Sequence, residues 1–180
     1  MGRRVAQMSG WAIRHAREGD LEAMASMRVA LQELMAQRNP ASWRTTTAAV
    51  EHAHAELQGW LRDPDYLLLV ASAEDGAPVA MAAGRVERQP DVRPAVVGHI
   101  RRVYVAEGWR HQGVGKALVA QLCRFFAARG VEEVTLRYVS GNEEGERFWA
   151  SLGFAPRIIT AGVALAEVET RLAQAGDSAP

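Results

Sequence analysis

Cysteine is almost absent from this chain: Cys123 is the only one in 180 residues. A lone thiol excludes an internal disulfide and any cysteine-based zinc site, and it suits a reducing compartment. Cys123 stands in an apolar helical pattern beside Leu122, which predicts a buried, inert thiol. Charge of one sign is also missing, since 21 Lys and Arg balance 21 Asp and Glu. Bulk charge therefore draws the chain neither to nucleic acid nor to an anionic membrane. No apolar run approaches the roughly eighteen residues that a membrane span requires. The opening MGRRVAQMSGW has two arginines with no apolar stretch behind them, so it does not read as a secretion signal. Ala6 stands where a myristoylation site wants Ser or Thr. His52 and His54 are two apart on a helix and point to different faces, so they form no metal pair. Together these absences predict a cytoplasmic protein with no metal, no nucleic-acid partner and no membrane attachment.

What is present is an ordinary globular composition, 48% apolar and 23% charged, long enough for one domain with a real core. Trp11 to His15 reads as a short strand. A helix over 20–37 carries Met24, Met27, Leu31, Leu34 and Met35 at helical spacing and ends at Asn39-Pro40. Thr45 to Thr47 offer caps for a second helix with Val50, His54, Leu57 and Leu61 on one side. Tyr66–Ala73 and Val79–Val86 flank the turn at 74–78 and predict a hairpin. Val96–Val105 is a further strand, followed by a helix from about 114 to Gly130 and a strand at Val134–Val139. Ser140 and Glu143 have capping-box spacing for a helix over 142–152, stopped by Gly153. Arg157 to Ala161 reads as a last strand, and Leu165, Val168 and Leu172 suggest a terminal helix. This order predicts an α/β fold with a mixed sheet, antiparallel early and parallel across the helix at 114–129.

The stretch RHQGVGKAL, residues 110–118, places Gly113 and Gly115 at a helix start among Arg110, His111, Gln112 and Lys116. A helix start has unpaired N–H groups and a positive dipole end, which suit phosphate oxygens. Glycines allow close backbone approach, and Arg110 and Lys116 add charge-assisted contacts. A Walker loop fails here because Ala117 follows Gly115-Lys116 and Arg110 occupies the first glycine position. A dinucleotide fingerprint fails because Leu118 replaces its third glycine. What remains is R-x-x-G-x-G after a strand. By itself that pattern fits either an anion cradle or a plain strand-to-helix turn.

Downstream lies GNEEGERFWASLGF, residues 141–154. With this second motif the chain resembles the GCN5-related N-acetyltransferase (GNAT) superfamily. Members have an R-x-x-G-x-G/A loop after the fourth strand and a later helix of pattern N-x-x-A-x-x-[FL]-Y-x-x-x-G-F. Asn142, Phe148, Gly153 and Phe154 match in place, and the resemblance covers roughly residues 11 to 161. It implies an α/β (α+β) single-domain GNAT fold over 11–175 behind a loose tail at 1–10. The mixed central sheet would have splayed fourth and fifth strands and flanking helices. It implies acetyl-CoA as co-substrate and an amine acceptor: a small molecule, a peptide N-terminus or a lysine. The amine would attack directly in a ternary complex. A homodimer is a family-level expectation.

The resemblance further implies that the pantetheine arm pairs with the backbone near Val103, Tyr104 and Val105. The pyrophosphate would lie over Arg110, His111, Gln112, Gly113, Val114, Gly115 and Lys116. Asn142, Phe148 and Trp149 would flank the arm or its thiol end. Two departures stand out. Gly145 replaces a small Ala, and Trp149 stands where many members have a Tyr that protonates the departing thiolate. Indole is no such acid. A thiolate leaves readily enough that water or another group, Tyr104 or Tyr138 among them, could serve, and Trp149 itself reads as a packing residue lining the cofactor groove.

Acetyl transfer needs a neutral amine, so a proton must be removed. His99, fourteen positions before Gly113, is the candidate general base, with Glu87 the weaker one. An exposed strand histidine without a role is the plain alternative. A backbone N–H near Val105 is the family expectation for the oxyanion. Met24, Met27, Met35, Trp43 and Trp60 read as core before they read as an acceptor pocket. Glu18, Asp20, Glu22 and Glu33 read as a solvated face. The competing function is a non-catalytic acyl-CoA-binding module, which the Trp149 departure motivates.

Overall fold

The computed structural model describes residues 10–40 and 46–176. It resolves into two compact units, Met1–Glu143 and Glu144–Pro180. The first contains the sheet, whose strand order follows the chain: β1 (Trp11–His15), β2 (Tyr66–Ala73), β3 (Pro78–Arg88), β4 (Val96–Val105) and β5 (Glu133–Leu136). The first four strands are antiparallel in sequence, and β5 runs parallel to β4. A parallel pair needs a crossover, and α3 (Val114–Ala127) supplies it.

Two helices, α1 (Leu21–Arg38) and α2 (Ala49–Arg62), pack against each other and against the sheet. Strand side chains alternate between faces, so each strand feeds two cores. Leu68 and Val70 of β2 and Met81 and Ala83 of β3 meet Leu21, Met24, Met27, Ala53 and Leu57. On the opposite face α3 packs across β2, β3 and β4, burying Val114, Leu118, Val119, Leu122 and Phe126. The two faces differ in how closely the helix approaches. A Cβ on Gly84 would lie 2.8 Å from Phe126 Cζ, and one on Gly98 would lie 2.9 Å from Phe126 Cγ. The two glycines therefore make the seat for the Phe126 ring.

Several expectations are corrected. Cys123 is exposed, because it follows Leu122 by one position and so falls off the buried stripe of α3. Asp20 is buried rather than solvated. Its carboxylate takes a bidentate pair from Arg14, at 2.6 and 2.7 Å, and a 2.7 Å bond from the Arg17 N–H. The face of α2 is Ala49, Ala53 and Leu57, with Val50 exposed. Its cap position is Ala48, with no side-chain hydrogen bond, while Thr45 and Trp43 lie outside the described residues. The N-terminal tail at 1–9 also lies outside them. In α1, burial is complete through Met27 and only partial at Leu31, Leu34 and Met35.

The second unit contains most of α4 (Glu143–Ser151) and all of α5 (Leu165–Gly176), so the terminal segment is helical. Gly153 at φ +88 ends α4, with the Gly153 N–H bonded to the Ala150 carbonyl. Arg157 to Ala161 is not a strand: Ile158 and Ile159 are 89% and 88% exposed. Adjacent β-branched residues favour extended backbone, but a strand exists only through pairing, and two neighbours in sequence point to opposite faces.

Candidate active site

Residues in the second half of β4 leave the sheet on one side. β5 pairs with β4 only from Val97 to Ile100, whereas β3 follows β4 to Val105. From Arg101 to Val105 the outer edge of β4 pairs with no strand among the described residues. Exposed edge groups of this kind accept an extended ligand by strand addition. Val103, Tyr104 and Val105 all belong to this open stretch. The Val105 carbonyl accepts a 3.2 Å bond from Arg110 Nε, which ties the following loop to the strand end. Tyr104 sits opposite Met81 and packs against the core beneath α1 and α2.

The loop then turns into α3. His111 has φ +59, and Gly113, at φ +80, is the cap position of α3. No side chain caps that helix. The region around a Gly113 Cβ is open, with nothing within 4 Å. Gln112 Nε2 donates to the Gly108 carbonyl at 2.8 Å, bracing the loop from behind. Val114 is buried and anchors the first turn, while Lys116 is exposed. An uncapped helix start with a left-handed glycine and an exposed lysine suits the diphosphate of a nucleotide cofactor. The residues present therefore fit acetyl-CoA at both of its polar segments: open strand edge for the amide-bearing arm, helix start for the pyrophosphate.

His99 lies just before the strands part, opposite Arg85 on β3 and Thr135 on β5. Its Nδ1 is 2.7 Å from Thr135 Oγ1. Its Nε2 is buried, 3.4 Å from Glu87 Oε2, without hydrogen-bond geometry. Burial pushes the imidazole below its ordinary value of 6.5, and Glu87 only partly offsets this. His99 is therefore neutral at pH 7, with a lone pair on one ring nitrogen.

On the face of the sheet that carries His99 and Arg85 lies a cluster that the sequence reading did not assemble, although it named Trp60. Trp60 and Tyr66 stack with centroids 5.0 Å apart. Arg101 and Arg102 lie 5.9 and 5.7 Å from the Trp60 ring, and Arg85 lies 5.7 Å from the Tyr66 ring. Two consecutive strand residues normally point to opposite faces. Here β4 has a register shift, Ala83 opposite Arg102 and Gly84 opposite Ile100, so Arg101 is the extra residue of a bulge. A bulge re-aims side chains, and this one brings both arginines to one ring. Arginines inside a strand at 101 and 102 were the available signal.

In the second unit Trp149 is wedged between Phe148, at 4.8 Å, and Phe154, at 5.5 Å, both edge-to-face. Its place is a packing one within an aromatic trio. Asn142 closes the preceding turn through its N–H to the Val139 carbonyl. Among the described residues no group of three or more His, Cys, Asp or Glu converges for a metal, and no helix is long and apolar enough to cross a membrane.

A mixed sheet whose parallel pair parts beyond Ile100, followed by a helix start without a side-chain cap, is an α/β arrangement that suits a nucleotide-bearing cofactor. The model of the Acetyltransferase (GNAT) family matches residues 28–154, and the chain belongs to that family. It is an N-acetyltransferase, and enzymes of this family use acetyl-CoA. A curated relative, Aminoglycoside N(6')-acetyltransferase type 1 of Serratia marcescens, is 31% identical over 107 residues, 58% of this chain and 73% of the relative. The BH1408 protein of Bacillus halodurans shares the fold at TM-score 0.75 and 19% identity, over 86% of this chain and 99% of its own. Aminoglycoside N-acetyltransferase AAC(6')-Iy, solved in complex with CoA, shares it at TM-score 0.66 and 19% identity, over 88% and 99%.

Proposed function

We propose that the chain transfers the acetyl group of acetyl-CoA to a primary amine by direct attack in a ternary complex, with His99 as the base. The observation that carries this reading is the placement of His99 where β4 parts from β5, beside the open edge of β4 and with its Nδ1 held by Thr135; burial favours its neutral form. The backbone of Val103, Tyr104 and Val105 holds the arm, and the loop from Arg110 to Lys116 holds the pyrophosphate. Acetyl-CoA supplies an activated thioester. An amine of pKa about 10 arrives as an ammonium and passes a proton to the His99 imidazole through water, because Nε2 itself is buried. Thr135 holds the other ring nitrogen, and the Glu87 carboxylate stabilises the imidazolium that results. The nitrogen lone pair forms the C–N bond, the thioester C–S bond breaks, and the electron pair leaves on sulfur. Tyr104, on the open stretch itself, gives its proton to that sulfur and regains one from the new amide nitrogen, which sheds the second of its protons as the amide forms. The demand on it is small, because a thiol of pKa about 8.5 leaves readily.

The test is thiol release across a panel of primary amines, with His99→Gln and Tyr104→Phe. The acidic limb of the wild-type pH–rate profile should fall below pH 6.5, because burial favours the neutral ring. His99→Gln should lower kcat by about 10²-fold or more and remove that limb. Tyr104→Phe should lower kcat by less than tenfold. An unchanged profile in His99→Gln would remove the histidine from this role. Acetyl-CoA binding without thiol release for any amine would favour a binding module instead.

A further inference from the structure

We propose that the acceptor amine also carries an oxyanion, a carboxylate or a phosphate, held by the guanidiniums of Arg85, Arg101 and Arg102. This deepens the acetyl-transfer reading and rests on it. The three arginines surround the stacked pair of Trp60 and Tyr66, each within 6 Å of a ring. Aromatic faces attract guanidiniums, and a guanidinium has five N–H donors. Arg102 Nη1 donates to the Arg101 carbonyl at 2.7 Å, which steadies the guanidinium and uses one of its five donors. Charge on this face does not balance. Among the described residues, Arg28, Arg85 and Arg102 meet two carboxylates, Glu56 and Glu87, and Arg101 adds a further positive charge. Glu56 is engaged by Arg28 at 2.6 Å and lies 4.0 Å from Arg102. Glu87 is shared between Arg85 at 3.5 Å and His99 at 3.4 Å.

Arg85 Nε, moreover, is buried and has no hydrogen-bond partner. The Arg85 side chain as a whole is 41% exposed, which opens its guanidinium to an outside anion. Arg85 stands opposite His99 across the β3–β4 ladder, so an anion held there sits beside the base. An amine on the same small molecule then reaches His99. A polycationic acceptor meets the same guanidiniums with repulsion, which separates this chain from an aminoglycoside enzyme despite its 31% identical relative.

The experiment compares matched amines that differ only in the anion. Phosphoethanolamine is set against ethanolamine, and β-alanine against its methyl ester, with the polyamine spermidine as the cationic arm. The anionic member of at least one pair should have the higher kcat/KM by about 10- to 100-fold, the scale of charge-assisted hydrogen bonds. Which pair shows it distinguishes phosphate from carboxylate. Arg85→Gln should collapse that ratio towards one. Arg101→Gln, at an exposed side chain, repeats the test should Arg85→Gln fail to fold. Equal ratios in wild type, or spermidine as the best acceptor, would overturn the proposal. If no amine is turned over, calorimetric binding of the same pairs to the CoA-loaded protein decides it separately. Anion-selective binding lost in Arg85→Gln upholds the arginine site while the acetyl-transfer reading falls, and unselective binding removes the site.

Discussion

The two halves of β4 have opposite fates. From Val97 to Ile100 the strand is sealed, with β3 on one side, β5 on the other and Phe126 pressed on Gly98. From Arg101 to Val105 one edge is open, a bulge re-aims two arginines, and the chain leads into an uncapped helix. The sealed half spends its backbone polar groups on the sheet and its glycine on packing. The open half leaves those groups without a strand partner among the described residues, and there the proposed cofactor arm would pair. His99 stands at the boundary between the two halves.

Side chains added to each half should separate folding from binding. Gly98→Val forces atoms into a space where a Cβ would already lie 2.9 Å from the Phe126 ring. Overpacking of this kind should cost about 3 kcal/mol or more, read as a lowered denaturant midpoint. A midpoint within experimental error of wild type would show that Phe126 moves aside freely. Gly113→Asp makes the converse change. Space around it is open, but φ +80 strains any side chain there, so the apo protein should lose about 1–2 kcal/mol, and binding is judged against the variant's own apo melting temperature. Acetyl-CoA at 100 times its wild-type Kd should stabilise the parent by about 2.7 kcal/mol and this variant by almost nothing. Undiminished stabilisation would dismiss the helix start as the pyrophosphate site.

The smallest effect is expected away from β4 altogether. Asp20→Asn weakens the bidentate pair with Arg14 and should cost about 1–2 kcal/mol at pH 7, without altering acetyl-CoA affinity. The Arg14 guanidinium holds the Asp20 carboxyl below its ordinary 3.8, against the opposing effect of burial. Its contribution is therefore present above pH 3.8 and is lost as pH falls through the lowered value. Urea midpoints measured down that range should converge for parent and variant. Curves that stay parallel would show that the Asp20 charge contributes nothing.

Much of this was legible because it is local. The bounds of Tyr66–Ala73 and Val96–Val105 followed from apolar runs between turn residues, and the α3 start from glycines beside Arg110. What was not legible depended on partners far along the chain. Asp20 has the same polarity whether solvated or paired, and only Arg14 folding over it decides. Cys123 differs from Leu122 by one helical step, about 100°, which sets core against solvent. Ile158 and Ile159 have strand propensity, but propensity cannot provide a neighbouring strand.

The sequence by itself determined the element order as far as α4, the glycine loop and the family, because periodicity and turn chemistry are properties of short segments. Tertiary structure alone decided where β5 stops, which leaves the β4 edge open. It also decided that Gly84 and Gly98 seat one ring, and that three arginines from two strands gather around Trp60 and Tyr66. Those outcomes depend on register and on a one-residue bulge. Register is set by the pairing of whole strands, which no local stretch of residues contains.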